Sequence, residues 1–269
     1  VKRIERAEVP RDRWGRPEID GTSYTRTSTL AKTLDDQSNL IAWKARMTAL
    51  GLAKSPDLIG LAATATEKDR TLLNDVVERA TDRAGAGSGR DLGTSIHAVT
   101  EALDYGEPVD NLPESLVDDG RAYQRECERI GLVPVLAETF VVSSQYGAAG
   151  SFDRLLTDGM EYFIGDVKTG KSNTDPAYVI KYSALAWSIQ LAVYSAGRPW
   201  NGHWQAWEGL GVHAPSTYRG IVFQIPRGSG VCHAIDVDLS IGHRAARLAA
   251  SVREIKDARL TGPIAAVIR

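Results

Sequence analysis

The chain predicts an α/β fold, a mixed central β-sheet flanked by helices and preceded by an N-terminal helical cap. A β-hairpin signal, Asp158-Gly159, separates two runs of strand-forming residues, and both of its residues tolerate the positive φ of a tight turn. Apolar residues recur at helical spacing upstream, over 39–50, 65–83 and 93–103. A largely apolar helical run, 178–196, follows the hairpin and leads to a second one. With 269 residues, 43% of them hydrophobic, the chain can bury a full core, as one large domain or one domain with a helical annex.

Taken in order, residues 1–89 are expected to form an arm and helical cap, and 90–269 the core. Ser28 or Thr29 caps a helix running from Leu30 towards Asp35. Leu40, Trp43, Met47 and Leu50 stand at core-like spacing on a helix over 39–50 that ends at Gly51. A third helix covers roughly 65–83. These helices either pack on the core or, with Lys44, Arg46 and the N-terminal arginines, line a path for a nucleic-acid strand. The Ala/Gly-rich run 84–89 reads as a linker or mobile loop. Beyond it Ile96, Val99 and Leu103 make an apolar helix face, while His97 and Glu101, at i and i+4, share an adjacent face. One helix can thus present two ligands to a metal, although plain surface partners take the same spacing.

The hairpin carries the chemistry. A two-residue loop at Asp158-Gly159 pairs Thr157 with Met160, Leu155 with Tyr162 and Asp153 with Ile164. Strand side chains alternate, so Ile164, Asp166 and Lys168 share the face of Asp153. Asp166 is then the diagonal neighbour of Asp153, about 7–8 Å away, a gap two carboxylates can close around one cation. Two acids and a lysine in one place match the needs of metal-dependent phosphodiester hydrolysis, which requires a nucleophile at neutral pH and cancellation of charge on the phosphate. Lysine, ordinarily near pKa 10.4 (about), either loses its proton beside a dication or stays charged and holds phosphate or water.

A rival motif overlaps it. Gly165 to Ser172 satisfies G-x-x-x-x-G-K-[ST], a nucleotide-binding P-loop whose lysine would be Lys171. A P-loop needs a helix starting at its Gly-Lys-Ser, but Asn173-Thr174-Asp175-Pro176 delays the helix. The preceding strand also has a hairpin partner, whereas P-loop strands belong to parallel sheets.

After the hairpin, Tyr182, Leu185, Ile189 and Val193 are suited to burial on one helix, with Gln190 and Tyr194 one turn apart. Either Tyr194 is core with a polar tip and Gln190 meets a buried amide, or both stand beside the metal site. Strands over 218–225 and 231–237 close a second hairpin across Arg227 to Gly230, and a helix from Ser240 ends the fold near Ala258.

Composition bounds the partners. The net charge of −2 requires a local basic groove for any nucleic acid. Cys127 and Cys232 are isolated, which fits a reduced cytoplasm and excludes a zinc ribbon or a four-cysteine iron–sulfur cluster within this chain. The charged opening residues carry no apolar signal-peptide core, and the apolar run at 184–193 is too short to span a bilayer.

In order, Gly93-Thr-x-x-His97-x-x-x-Glu101, Gly150-x-x-Asp153, Gly165-Asp166-Val-Lys168-Thr-Gly and Gln190-Leu-Ala-x-Tyr194 resemble the RecB-like branch of the PD-(D/E)XK nuclease superfamily. Within it they resemble phage-encoded exonucleases related to the RecB-type nucleases of CRISPR adaptation. The resemblance covers residues 93–194. It implies a restriction-endonuclease-like core and a DNA exonuclease, 5′→3′ on single strands or strand ends, in recombination, repair or phage replication. It implies one or two Mg²⁺ or Mn²⁺ ions on His97, Asp153, Asp166 and the backbone carbonyl of Val167, with Lys168 orienting or activating water. Gln190 and Tyr194 support the site and the DNA, Lys171 and Tyr182 contact substrate, and Glu101 either joins the ligands or accepts the other ring N–H of His97. A recombinase or single-strand-binding protein is a further implied partner, the membrane is not, and a phage protein would work in the host cytoplasm. Two features depart from the family: Asp166 stands where Glu is frequent, and the cluster-binding cysteines of many relatives are absent, so no iron–sulfur cluster is carried over. The alternatives are the P-loop NTPase and a nuclease-like DNA-binding module without catalysis.

Overall fold

The computed structural model describes residues 1–4, 6–85, 87–170 and 175–258, with the side chains of 87–91 left aside. Short strands β1 (Glu18–Ile19), β2 (Thr22–Ser23) and β3 (Thr25–Arg26) precede helices α1 (Thr27–Ala31), α2 (Ser38–Ala53), α3 (Pro56–Thr64), α4 (Arg70–Arg83), α5 (Gly87–Asp104) and α6 (Glu114–Ile130). Then follow β4 (Val133–Ser143), β5 (Ala148–Thr157), β6 (Tyr162–Gly170), α7 (Pro176–Ser195), β7 (Arg198–Pro199), β8 (Arg219–Pro226), β9 (His233–Asp238) and α8 (Leu239–Asp257). By compactness the chain divides into Val1–Asp35 with Val99–Arg269, and Asp36–Ala98.

The larger unit is built on a mixed seven-stranded sheet in the order β7-β4-β5-β6-β8-β9, with β3 paired to β5. Neighbours are antiparallel except β6–β8 and β3–β5. A parallel pair cannot be joined by a tight turn, so α7 makes the crossover from β6 to β8. It covers one face, where Leu155, Ile164, Val222, Trp187 and Leu191 share a core cluster. On the other face Tyr123 of α6 meets Phe223 of β8 edge-on at 4.9 Å. The arm belongs with this sheet: besides β3, the Lys2 amide donates to the Val135 carbonyl at 2.9 Å. Among the described residues no helix is long and apolar enough to cross a membrane.

In the smaller unit α2 runs on through Gly51 to Ala53 rather than stopping at the glycine. A Cβ at Gly51 would lie 1.7 Å from the Ala80 carbonyl oxygen, so this glycine is where α2 and α4 cross, not a helix end. Leu40 and Leu50, expected in a core, are 43% and 54% exposed. The helix expected over 65–83 is broken, because the Asp69 carboxylate accepts from the Thr66 amide and hydroxyl, both at 2.8 Å, and α4 begins only at Arg70. The run 84–89 is also corrected: α5 already starts at Gly87.

Two hairpins shape the sheet. At the first, Asp158 Oδ1 accepts from the amides of Met160 and Glu161, at 2.9 and 2.8 Å, which takes both out of cross-strand pairing. The loop therefore widens, and Thr157 pairs with Tyr162 instead of Met160. Leu155 likewise pairs with Ile164 instead of Tyr162, an even slip that keeps the facing of these residues, while Asp153, expected opposite Ile164, lies beyond the end of the ladder. At the second, buried Asp119 of α6 accepts from the amides of Gly228 and Gly230, at 2.6 and 2.9 Å, and ties down the turn.

Candidate active site

The site lies where β5 and β6 part. Their ladder ends at Arg154 opposite Gly165, while β6 continues beside β8 to Gly170. Past the fork β6 has lost its β5 partner, and the Val167 amide donates instead to Asp153 Oδ2 at 2.7 Å. The acid from one strand thus caps the main chain of the other.

Asp153 itself sits at an irregularity. Phe152 and Leu155, three apart, both join the core cluster that includes α7, so strict alternation breaks between them. On the neighbouring strand Ala137 pairs with Arg154 and Thr139 with Phe152, and Glu138 between them has a φ of 47°. A non-glycine residue at positive φ inside a strand is strained and is held there by its surroundings. Glu138 and Asp153 offer carboxylate oxygens within 4.8 Å of each other. Burial, then repulsion from Asp153, pushes the Glu138 carboxyl up to about 7, although Arg154 pulls the other way.

Behind Asp153, the fully buried Arg154 anchors β5 to the C-terminal turns of α5. Its guanidinium is ion-paired with Asp104, donates to Thr100 Oγ1 at 3.1 Å and to the Asp153 carbonyl at 2.8 Å. Gly150 keeps the approach to α7 open: a Cβ there would stand 3.2 Å from Thr27 Oγ1 and 3.3 Å from the Tyr194 hydroxyl oxygen.

On β6, Asp166 is 2% exposed. Its Oδ1 accepts from Gln190 Nε2 at 3.0 Å, and its Oδ2 lies 2.5 Å from Lys168 Nζ. That approach is an ion pair without hydrogen-bond direction, so Oδ2 is buried with no hydrogen-bond partner. Gln190 also accepts from Lys168 Nζ at 3.3 Å and donates to the Tyr194 hydroxyl at 3.4 Å. Burial, then Asp153, raises the Asp166 pKa against the pull of Lys168. For Lys168 burial opposes the charge, but Asp166 and Asp153 outweigh it and hold the ammonium above its ordinary value. Burial, then Asp166, likewise raises the Tyr194 phenol, which stays neutral.

The structure therefore brings Asp153, Asp166, Lys168, Gln190 and Tyr194 together. His97 is half-buried on α5, one turn before Glu101. Glu101 is ion-paired with Arg6 of the arm. Tyr182, expected in the core, is 54% exposed, as Leu185 is at 44%, and the Tyr182 ring stands 4.8 Å from that of Tyr178. Lys171 lies outside the described residues. Residues Gly165 to Gly170, the loop of the rival P-loop motif, are strand. Sequence reasoning missed Glu138, whose signal is that it is the one charged residue in the run Val133–Ser143.

Compared with protein-family models and with curated proteins, the chain matches none.

Proposed function

We propose that this protein is a divalent-metal-dependent deoxyribonuclease with a restriction-endonuclease-like core, an exonuclease of the RecB-like branch of the PD-(D/E)XK superfamily. The observation that carries the reading is the convergence of Asp153, Asp166 and Lys168 where β5 and β6 part. The residues fit a hard cation. Asp166 Oδ2 is a buried carboxylate oxygen already met by a cation, the Lys168 ammonium at 2.5 Å, and Glu138 adds a further carboxylate within 4.8 Å of Asp153. Mg²⁺ or Mn²⁺ on such oxygens supplies Lewis acidity and makes water a nucleophile near neutral pH.

By the motif resemblance Asp153 and Asp166 would hold the ion, with the Val167 carbonyl and His97 as the remaining expected ligands. The hydrogen bond from Val167 N–H aims Asp153 across the fork. Gln190 holds both Asp166 and Lys168, and Tyr194 in turn holds Gln190. Without an ion in place Asp166 and Asp153 hold the Lys168 ammonium above its ordinary value, and a charged Lys168 suits holding phosphate or orienting water. Glu101 is engaged by Arg6, so its part is to fix the arm to α5.

The test is a single-stranded oligonucleotide labelled at either end, incubated with Mg²⁺ or Mn²⁺. Stepwise loss from the 5′ end is expected. A circular single strand cut as fast as the linear one would reject the exonuclease assignment, and no cleavage of any DNA would reject the nuclease.

A further inference from the structure

Gln224 of β8 stands in register with Lys168 of β6. Adjacent strands lie about 4.8 Å apart and registered residues share a face. Phe223 packs on Tyr123 of α6, which puts Gln224 on the opposite face, with Asp166 and Lys168 under α7. Gln224 is 1% exposed, and neither its Nε2 nor its Oε1 has a hydrogen-bond partner. A primary amide offers two donors and an acceptor oxygen, and leaving all of them unmet in an interior is costly enough to need a reason.

The reason lies one strand away. Asp166 Oδ2 is occupied by the Lys168 ammonium at 2.5 Å. A divalent cation on that oxygen would stand close to the ammonium, and the repulsion between the two positive charges favours movement of the flexible lysine away from it. A divalent cation at Asp166 thus loosens Lys168, which already donates to Gln190 Oε1, and the unmet acceptor in register with it on the same face is Gln224 Oε1. Resting on the nuclease reading above, we infer that Gln224 is a positioning residue of this site, its amide oxygen receiving the Lys168 ammonium when a divalent cation takes Asp166. The unmet amide oxygen is then a property of the metal-free state, met in the loaded one.

Gln224→Met keeps the length and shape of the side chain without its polar atoms, and Gln224→Glu keeps an acceptor. Three quantities are read: melting of the metal-free protein, Mn²⁺ affinity by calorimetry, and Mn²⁺-supported cleavage of a single-stranded oligonucleotide. Metal-free Gln224→Met should melt higher by about 2–4 °C, because it no longer buries an unmet amide. It should bind Mn²⁺ about 10–100-fold more weakly and lose kcat with little change in KM. Gln224→Glu should recover most of the affinity and rate. If the wild type binds and cleaves, but Gln224→Met matches it in affinity and rate, the inference is overturned and the nuclease reading stands; a lowered melting point with the same result makes Gln224 structural. A wild type that neither binds Mn²⁺ nor cleaves DNA removes both.

Discussion

Asp104→Ala removes the countercharge of a guanidinium that has no exposed side-chain surface. Side-chain exposure is 0% for Arg154 and 4% for Asp104. After the substitution Arg154 keeps its hydrogen bonds to two neutral acceptors, Thr100 Oγ1 and the Asp153 carbonyl, and the Asp153 charge offsets part of the lost countercharge. Tyr123, whose hydroxyl lies 3.3 Å from Asp104 Oδ2, loses its acceptor as well. Removing one partner of a buried pair costs about 3–5 kcal/mol, because the remaining charge stays desolvated. In a domain of this size each kcal/mol moves the melting temperature by about 2–4 °C, so a fall on the order of 10 °C is expected. Urea and thermal unfolding followed by circular dichroism measure it. The double variant Asp104→Leu with Arg154→Met should regain much of the loss, since an apolar pair of similar volume replaces a costly ionic one. The double-mutant cycle should report a coupling of about 2–3 kcal/mol. A loss below about 1 kcal/mol for Asp104→Ala, the value of a solvated surface pair, would refute the argument.

Two further outcomes follow from the same structure. Lys168→Ala should reduce cleavage by about 10²–10⁴-fold with an unchanged circular dichroism spectrum, whereas Lys171→Ala should only weaken DNA binding; loss of activity in the Lys171 variant, with that activity being ATP hydrolysis, would restore the P-loop reading. Stability should rise with pH through the window below about 6.5, because burial holds the His243 imidazole beneath its ordinary value, aided by Arg247 and opposed by the Thr217 carbonyl. In that window the unfolded chain binds more protons than the folded one, so the contribution is complete above the unfolded pKa and is lost as pH falls. Nε2 donates to that carbonyl at 2.9 Å and Nδ1 accepts from the Tyr146 hydroxyl at 2.6 Å, an arrangement of the neutral ring. Melting temperatures from pH 5 to 7.5 (about) should show a shallower slope for His243→Gln than for the wild type.

The alternation of residues along β6 was legible in the sequence because strand periodicity is local and two-fold. It placed Asp166 and Lys168 on one face, and an even slip in register could not undo it, whereas Asp153 stands at a break in the alternation of β5 that local spacing does not foresee. The helical spacing of Gln190 and Tyr194 was legible for the same reason, and so was the second hairpin. The depth of α7 was not: its sequence is apolar on nearly all sides, so periodicity gave no account of which turns the sheet would cover, and Tyr182 and Leu185 are left outside.

What only the tertiary structure decided is what depends on neighbours distant in the chain. Sequence spacing cannot tell that β8, reached through the α7 crossover, lies parallel beside β6, and so cannot set Gln224 next to Lys168. Nor can it tell that the end of α5 meets β5 with Asp104 against Arg154, or that Glu138 is held at positive φ opposite Asp153. Local periodicity determines the direction in which a side chain leaves its own strand or helix. Whether it then meets a charge, an unmet amide or water is determined by packing between elements, and that packing gives the acids and the lysine of this site their strength.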